Sequence, residues 1–288
     1  MKFSIITPTY NRAHTIERAI NSILRQSYQN FEMIIIDDGS TDNTSEIVEK
    51  YLDDPRIRYI GPNKNGGVNV ARNIGLKNVS KDSNWITFLD SDDEFFPDAL
   101  EKMKKTIEAN PVYNYFRFAV VYDNGEPACF ANHDNIVVDY EGTLRQEDVS
   151  GEWVVTLSKK ILDDGFKFEE SVNALEIISW YALSNKEKCI HSLEKVRVYQ
   201  LDTEGLQRQA VKTEGYYKNK QKGISLYLKL FGNDLKRYNK KDYALKLYVL
   251  GNANFKLGNY KSGIQNIYKA MMMDPFNITI FKKLLKLK

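Results

Sequence analysis

The residues best suited to chemistry form the segment Asp90-Ser91-Asp92-Asp93, which directly follows an apolar run at 85–89. A second acidic pair, Asp37-Asp38, ends another apolar run in the same abrupt way. Carboxylates at the end of a buried strand are costly unless they have partners. A divalent cation and a hydrogen-bonding ligand would supply those partners. The pattern therefore predicts a polar ligand site, and a solvated turn before the next helix is the competing interpretation.

Strand and helix patterns alternate through the first hundred residues. Strand patterns occur at 3–7, 31–36, 57–60 and 85–89, and helical spacing occurs at 15–26, 42–52 and 68–78. This alternation predicts right-handed βαβ units and an α/β fold with a mostly parallel, Rossmann-like mixed sheet and helices on both faces. Open parallel sheets bind ligands at the carboxyl ends of their strands. The loops after the first, second and fourth strands should therefore meet at one edge.

The middle of the chain is less regular, and its end is helical. Residues 115–122, 136–140 and 154–157 have strand patterns, and 171–184 have a helical one, which indicates a sheet appended to the same domain. From about residue 206 onward, β-runs fade and glycines separate long helical patterns. We expect one α/β domain over 1–205 and a C-terminal α-helical extension over 206–288.

Composition excludes several classes of protein. The 288 residues include 41 basic and 38 acidic ones, too even a balance for a nucleic-acid partner. The two cysteines, Cys129 and Cys189, lie far apart and indicate a reducing compartment rather than a disulfide scaffold. No apolar run approaches the ~20 residues of a spanning helix. These features predict a cytoplasmic protein that could lie at the inner face of a membrane.

Four motifs in order carry a resemblance to a known family. They are Ile6-Thr7-Pro8-Thr9-Tyr10-Asn11, Ile36-Asp37-Asp38-Gly39-Ser40-Thr41-Asp42, Asn65-Gly66-Gly67 with Ala71-Arg72-Asn73, and Leu89-Asp90-Ser91-Asp92-Asp93. Together they resemble the inverting glycosyltransferase family 2, which has the GT-A fold. The match is close over about the first hundred residues and looser to about 205. It implies a nucleotide-binding half at 1–100 and an acceptor-binding half at 101–205.

The resemblance implies which residues hold the nucleoside. Pro8 and Tyr10 would hold the base or ribose through backbone and ring contacts. Asp38 would accept a hydrogen bond from the uracil imide, and Asn65 would line the nucleoside pocket. The expected donor is therefore a UDP-sugar.

The resemblance also implies a metal and diphosphate site. Arg72 would orient the carboxylates or meet the phosphates. Asp90, with Ser91, would meet the ribose or a metal-bound water, and Asp92 would coordinate the divalent ion. Mn²⁺ or Mg²⁺ suits oxygen ligands plus a diphosphate. Relatives often complete this metal shell with a histidine, and Asp202 is the oxygen ligand that could replace it in this sequence.

The proton-accepting residue is the point where the sequence departs from the family. Phe168-Glu169-Glu170-Ser171 resembles the lead-in to a Glu-Asp pair whose aspartate is the catalytic base. Glu176 falls on the glutamate of that pair, but Ile177 occupies the position of the aspartate. Glu176 is the preferred candidate for the base. A shifted helix could instead present Glu169 or Glu170, and Asp163 and Asp164 are more distant candidates.

The tryptophan and histidine residues could have either a functional or a structural role. Trp153 and Trp180 could stack on an acceptor sugar, although a core position is the expectation for both. The three histidines, His14, His133 and His191, lack metal-ligand spacing, so surface or capping positions are expected.

The helical extension contains a tetratricopeptide-like pattern of small and apolar residues, including Gly251, Gly258, Gly263, Ala270 and Pro275. Any helical hairpin is the alternative interpretation. The last residues, 281–288, alternate lysine with leucine, which is typical of an amphipathic helix that lies on an anionic membrane or packs on the catalytic domain with its lysines in solvent. Peripheral membrane contact and a homodimer through these helices are both compatible with this pattern.

The resulting functional hypothesis is an inverting, metal-dependent hexosyl- or N-acetylhexosaminyltransferase. It would move a sugar from a nucleotide-sugar to a glycan or lipid-linked hydroxyl in bacterial surface polysaccharide synthesis. A sugar nucleotidyltransferase is disfavoured, because the loop Thr9-Tyr10-Asn11-Arg12 contains no glycine. The alternative from another class is a catalytically impaired nucleotide-sugar binder or scaffold that acts through its helical tail.

Overall fold

A computed structural model of the protein describes residues 1–61, 64–173, 175–201 and 212–275. The strands in these ranges are β1 Phe3–Thr9, β2 Phe31–Asp37, β3 Ile57–Ile60, β4 Trp85–Phe88, β5 Glu94–Phe95, β6 Tyr115–Tyr122, β7 Cys129–Ala131, β8 Ile136–Val138, β9 Val149–Gly151, β10 Trp153–Ser158 and β11 Cys189–Tyr199. The helices are α1 Ile16–Leu24, α2 Thr44–Glu49, α3 Val68–Lys77, α4 Ala99–Ala109, α5 Tyr140–Arg145, α6 Lys159–Asp163, α7 Ile177–Ser184, α8 Glu214–Tyr238, α9 Lys240–Lys256 and α10 Tyr260–Met273.

One nine-stranded sheet organises the first compact unit, which comprises residues 1–170 and 179–205. Its order is β3-β2-β1-β4-β10-β6-β11-β5, and β8 also pairs with β11. The first four of these strands are parallel, whereas β10 runs antiparallel to both of its neighbours. The predicted mostly parallel mixed sheet is therefore confirmed. The later strands continue this sheet instead of forming an appended one, and among the described strands only β7 and β9 make a separate ribbon.

The parallel strands are buried along both faces because helices cover both sides. Every residue of β1 and β2 is buried. On one face, α1 packs its apolar stripe into the main core, as its helical spacing predicted. On the other face, α3 approaches β1 at Gly75, where a Cβ atom would lie 2.5 Å from Cγ2 of Ile6. Only a residue without a side chain allows this close packing. It brings the start of α3 to the carboxyl ends of the parallel strands.

Two elements differ from the sequence-based expectation. The helix expected at 171–184 begins only at Ile177. Ser171 and Asn173, which precede it, favour turns because their side chains compete for backbone hydrogen bonds. The eleven-residue strand β11 was missed entirely. Its register shifts on both sides of Lys195, so the burial alternation that marks a strand is interrupted there.

The second compact unit comprises residues 171–178 and 206–288, and its described part contains α8, α9 and α10. The small residues of the tetratricopeptide-like pattern lie where α9 and α10 meet. A Cβ atom on Gly251 would lie 2.6 Å from Cγ1 of Ile267, and one on Gly263 would lie 2.8 Å from the Phe255 ring. The predicted close packing of a helical hairpin is thus confirmed. Among the described helices, none has the length and apolarity needed to cross a membrane.

Candidate active site at the carboxyl edge of the parallel strands

The loops after β1 and β2 are joined by hydrogen bonds at the carboxyl ends of these strands. The Asn11 amide donates to Oγ of Ser40 at 2.9 Å, and the Thr41 amide donates to Oδ1 of Asn11 at 2.8 Å. Asn11 has a φ of 51°, a left-handed conformation that asparagine tolerates better than most residues. The Asp38 amide also donates to the Thr9 carbonyl at 2.9 Å. These hydrogen bonds therefore hold the loop after β1 and the loop after β2 together.

Asp37 and Asp38 have different roles despite being neighbours. Asp37 is fully buried and accepts from the amides of Gly39 and Ser40 and from the Tyr59 hydroxyl, the last at 2.6 Å. Asp38 accepts from the amides of Gly66 and Gly67, each at 2.8 Å. Each oxygen of Asp38 keeps a further lone pair. The predicted contact of Asp38 with a uracil imide is thus compatible with its role in fixing the loop before α3.

We call the segment Asp90–Asp93 together with Arg12, Arg72 and Arg197 the acidic edge. Nη2 of Arg72 donates to Oδ1 of Asp90 at 3.0 Å, and Nη1 of Arg197 lies 3.6 Å from its other oxygen. Nε of Arg197 lies 3.4 Å from Oδ2 of Asp93. Nη2 of Arg12 lies 3.5 Å from Oδ2 of Asp92. Three guanidinium groups therefore compensate three carboxylates at this edge.

The carboxylates of the acidic edge differ in how far they reach solvent. The side chain of Asp90 is 40% exposed, that of Asp92 is 19% exposed, and that of Asp93 is only 3% exposed. Burial and the Asp90 charge raise the pKa of Asp92, against the lowering effect of Arg12. Burial raises the pKa of Asp93 to about 7, although Arg197 opposes the shift. Asp90 and Asp92 are consequently the two that a ligand can reach, and Asp93 is an internal partner of Arg197.

The chemistry of the acidic edge suits a divalent ion that takes part of its shell from a diphosphate. Asp90 and Asp92 supply partly exposed carboxylate oxygens, which Mg²⁺ and Mn²⁺ prefer. Within the ranges that the structure covers, no cluster of three or more His, Cys, Asp or Glu side chains forms a ready-made metal cage. A site with one or two protein carboxylates fits this donor set, because Mg²⁺ is usually bound in that way beside substrate phosphates.

The other predicted nucleotide residues lie at or near the same edge. Pro8 is buried at the end of β1, in register with Ile36, and Tyr10 just beyond it is half-buried. Ser91 is buried beside Asp90, whereas Asn65 is exposed before α3. Asp202, the proposed second metal ligand, lies outside the described residues.

The lead-in to the predicted base is anchored on α3. Nδ2 of Asn73 donates to the Phe168 carbonyl at 2.9 Å, and the Phe168 amide donates back to Oδ1 of Asn73 at 2.8 Å. Nδ2 of Asn73 also donates to Oε1 of Glu170 at 2.7 Å. Glu176 is half-buried and directly precedes α7, in a segment that belongs to the second compact unit.

Sequence reasoning missed two arginines and misplaced one histidine. Arg12 follows the loop after β1, and the pairing of its charge with Asp92 has no local sequence signal. Arg197 lies in β11, the strand that the pattern did not reveal. His191 was expected at the surface but is 2% exposed. Trp180 packs against Phe88 and other aromatic rings of the core, as expected.

Comparison with known proteins agrees with this fold. The sequence pattern described as Glycosyl transferase family 2 matches residues 4–148, about half of the chain. The chain belongs to this family, and its sheet has the GT-A architecture.

Similar proteins include relatives of different lengths. The chain is 30% identical over 287 residues to the GalNAc(5)-diNAcBac-PP-undecaprenol beta-1,3-glucosyltransferase of Campylobacter jejuni, with 94% of this chain and 85% of that protein covered. It is 42% identical over 126 residues to an uncharacterized glycosyltransferase of Rickettsia felis, with 43% of this chain covered. The chain spans about a fifth of that longer relative, 20% of its length. A solved structure of S. aureus TarS 1–349 in complex with UDP-GlcNAc superposes with a TM-score of 0.66 at 21% identity, covering 95% of this chain and 81% of that one.

Proposed function

We propose that this protein is an inverting glycosyltransferase that transfers a hexosyl or N-acetylhexosaminyl group from a UDP-sugar to an acceptor hydroxyl in bacterial surface polysaccharide synthesis. The observation that carries the proposal is the acidic edge, where two reachable carboxylates follow a parallel strand beside the Pro8–Tyr10 loop. The UDP-GlcNAc bound by the similar TarS supports a UDP-sugar donor. The polyprenol-diphosphate-linked substrate in the name of the Campylobacter jejuni relative supports a lipid-linked acceptor.

The residues of the acidic edge would hold the nucleotide diphosphate. We assign Asp92, together with Asp202, as ligands of a Mn²⁺ or Mg²⁺ ion that would offset charge on the departing diphosphate as a Lewis acid. Arg72 orients Asp90 through the 3.0 Å hydrogen bond. Arg12 and Arg197 stabilise the neighbouring carboxylates, so Asp90 and Asp92 stay in place before the donor arrives. Pre-organised charges of this kind lose little energy to rearrangement when the reaction begins.

An inverting transfer needs a carboxylate that removes the proton of the attacking hydroxyl. We assign this role to Glu176 on the resemblance of its sequence context. Two of the alternatives have structural partners: Oδ1 of Asp163 lies 2.6 Å from Nζ of Lys159, and Oε1 of Glu170 accepts from Asn73 at 2.7 Å. A carboxylate that is tied to a neighbour is less available to substrate, so Asp163 and Glu170 are weaker candidates for the base.

Isothermal titration with UDP tests the donor half of the proposal. We expect UDP to bind in the presence of Mn²⁺ and to bind at least about tenfold more weakly after the metal is chelated. The matched control is GDP or CDP under the same conditions, which should bind more weakly if Asp38 contacts the uracil imide. Equal UDP binding with and without the metal would remove the metal assignment, and no UDP binding at all would remove the proposal.

Turnover tests the base separately from donor binding. Glu176→Gln should reduce transfer by about 10²- to 10⁴-fold while UDP affinity stays unchanged. Glu170→Gln, which alters an alternative carboxylate that bonds to Asn73, should leave the rate near normal if Glu176 is the base. A normal rate in Glu176→Gln would move the base to another residue. Intact donor binding without transfer or donor hydrolysis in the unaltered protein would favour a nucleotide-sugar binder instead of an enzyme.

A further inference from the structure

Arg117 in β6 carries a charge that the described protein does not compensate. Its Nε donates to the Tyr115 hydroxyl at 2.8 Å, and its guanidinium carbon lies 5.4 Å from the centre of the Tyr115 ring. No described carboxylate lies within ion-pair distance of Arg117, in contrast to the three arginines of the acidic edge. The side chain is half-buried, so it is partly removed from water and still reachable. A cation in this position is costly unless an anion joins it.

The neighbours of Arg117 supply polar groups but no opposing charge. Its register partner His191 is buried, and neither ring nitrogen of His191 has a hydrogen-bond partner among the described residues. Burial and the Arg117 charge lower the pKa of His191 to about 2, so the ring is neutral. Tyr181 lies close enough to interact electrostatically with Arg117, and its hydroxyl accepts from Nε2 of Gln146 at 2.6 Å. We call Arg117, Tyr115, Tyr181, Gln146 and His191 the Arg117 patch.

The sheet register locates this patch relative to the donor site. Thr156 of β10 is in register with both Thr87 of β4 and Phe116 of β6, so those two residues stand at one level. Arg117 therefore lies one residue beyond this level in the strand direction, and Asp90 lies three residues beyond it. Two residues along a strand and two strand spacings across the sheet correspond to a backbone separation of about 12 Å.

The Arg117 patch also lies on the same face of the sheet as the buried side chains next to the acidic edge. Tyr115, two residues before Arg117, packs in one cluster with Phe88, which ends β4 two residues before Asp90. Side chains two residues apart on a strand point to the same face. The patch is separated from Asp90 by two strand spacings, and it lies within residues 101–205, the part of the chain that the family resemblance assigns to the acceptor.

We propose that the Arg117 patch is an anion subsite that recognises a phosphate or carboxylate group carried by the acceptor. This inference rests on the proposed transferase function. The planar guanidinium can donate two parallel hydrogen bonds from its free Nη groups to an oxyanion, which is the geometry that arginine provides and lysine does not. The neutral His191 ring adds a donor of no net charge beside it. An acceptor that places a charged group beside Arg117 is bound more tightly than a neutral one.

Titration of the UDP-saturated protein with inorganic phosphate, followed by broadening of the phosphate ³¹P signal, tests this subsite. We expect saturable phosphate binding that persists with UDP bound and weakens by about tenfold or more in Arg117→Gln. Arg145→Gln is the matched control, because Arg145 is an exposed arginine paired with Glu141, and it should bind phosphate as the unaltered protein does. Acetate in place of phosphate identifies which oxyanion the subsite prefers.

The outcomes separate this inference from the donor proposal. UDP affinity within about twofold of normal in Arg117→Gln shows that the variant is folded and that its donor site is intact. Arg117→Lys should retain part of the phosphate binding, since the charge remains without the planar fork. Undiminished phosphate binding in Arg117→Gln, or complete displacement of phosphate by UDP in the unaltered protein, would overturn the subsite. Loss of UDP binding in the unaltered protein would instead overturn the transferase proposal.

A kinetic measurement extends the same test to whole acceptors. With an acceptor that bears a phosphate or carboxylate, Arg117→Gln should raise KM by about tenfold and leave kcat near normal, because a remote binding contact contributes equally to ground and transition states. With a neutral acceptor the variant should behave as the unaltered protein. An equal effect on charged and neutral acceptors would show that Arg117 has only a structural role.

Discussion

The acidic edge and the Arg117 patch use the same residue type in opposite ways. At the acidic edge each carboxylate has a guanidinium between 3.0 and 3.5 Å away, so the charges balance within the protein. In the Arg117 patch, no described carboxylate pairs with the arginine, and the adjacent histidine is neutral. The first region is assembled before any ligand arrives, whereas the second is completed only by an anion. Removing an arginine should therefore have different consequences in the two regions.

The largest expected effect comes from the reachable carboxylate of the acidic edge. Asp92→Asn should lower the transfer rate by about 10²- to 10³-fold, because it removes the charge that we propose holds a metal ion beside the leaving group. Initial rates with a UDP-sugar at saturating Mn²⁺ measure this. Asp82→Asn is the control: Asp82 is an exposed carboxylate paired with Lys2, and the rate should not change. A normal rate in Asp92→Asn would contradict the assignment of the acidic edge as the site of catalysis.

The next effect is on stability and compares the two arginines directly. Arg197→Met leaves Asp93, which is 3% exposed, without its ion-pair partner, and should lower the free energy of unfolding by about 3–5 kcal/mol. Arg117→Met leaves no carboxylate behind and should cost about 1 kcal/mol or less, mainly through the lost Tyr115 hydrogen bond. Urea denaturation at pH 7 measures both.

A second substitution checks the cause of the Arg197 effect. Asp93→Asn in the Arg197→Met background should recover part of the lost stability, since the neutral amide no longer needs a cation. Equal losses in Arg197→Met and Arg117→Met would show that the two regions do not differ in charge compensation.

The parts of the molecule that the sequence predicted are those with regular local patterns. The parallel strands, the α1 stripe and the loops that end in Asp38 and Asp90 follow from periodicity and from the abrupt change to carboxylates. Each of these sequence patterns is contained in a window of a few residues, and the structure that each predicts agrees with that of the adjacent elements. This is why the strand ends that carry Asp38 and Asp90 could be located before the structure was known.

The parts that escaped prediction depend on long-range contacts or on irregular strands. Arg197 meets Asp90 and Asp93 across more than a hundred residues of sequence, and the bulge near Lys195 hid the strand that carries it. His191 appeared to be a surface residue because a lone histidine says nothing about its neighbours, and here those neighbours bury it. Charge compensation and burial are tertiary properties, so a single sequence does not display them.

The pH dependence of the free energy of unfolding tests whether His191 in the Arg117 patch is neutral. The pKa of His191 is lowered to about 2 by burial and by Arg117, below the value of about 6.5 expected in the unfolded chain. As the pH falls below about 6.5, the unfolded state binds a proton that the folded state does not, and stability decreases. At pH 5 this difference amounts to about 2 kcal/mol. Above pH 7 it contributes nothing.

A histidine substitution isolates this contribution from other titrating groups. The loss of stability between pH 7 and pH 5, measured by urea denaturation, should be smaller in His191→Phe by about 2 kcal/mol than in the unaltered protein. His133→Gln is the control, because His133 is exposed and its removal should leave the pH dependence unchanged. The same slope in His191→Phe and in the unaltered protein would mean that His191 is protonated in the folded state, and the Arg117 patch would then contain two cations.

The smallest expected loss of stability is that of Arg145→Gln, which serves as a reference for the substitutions of Arg197 and Arg117. Arg145 forms an exposed pair with Glu141 one helical turn away, with Nη2 at 2.7 Å from Oε1. Such pairs contribute only about 0.3–0.5 kcal/mol, because water and salt screen them and two long side chains lose freedom. Arg145→Gln should therefore shift the urea midpoint barely above experimental error, and raising the salt concentration should erase the shift. A loss as large as that of Arg197→Met would show that arginine replacement is harmful in this protein regardless of position, and the contrast between the acidic edge and the Arg117 patch would lose its basis.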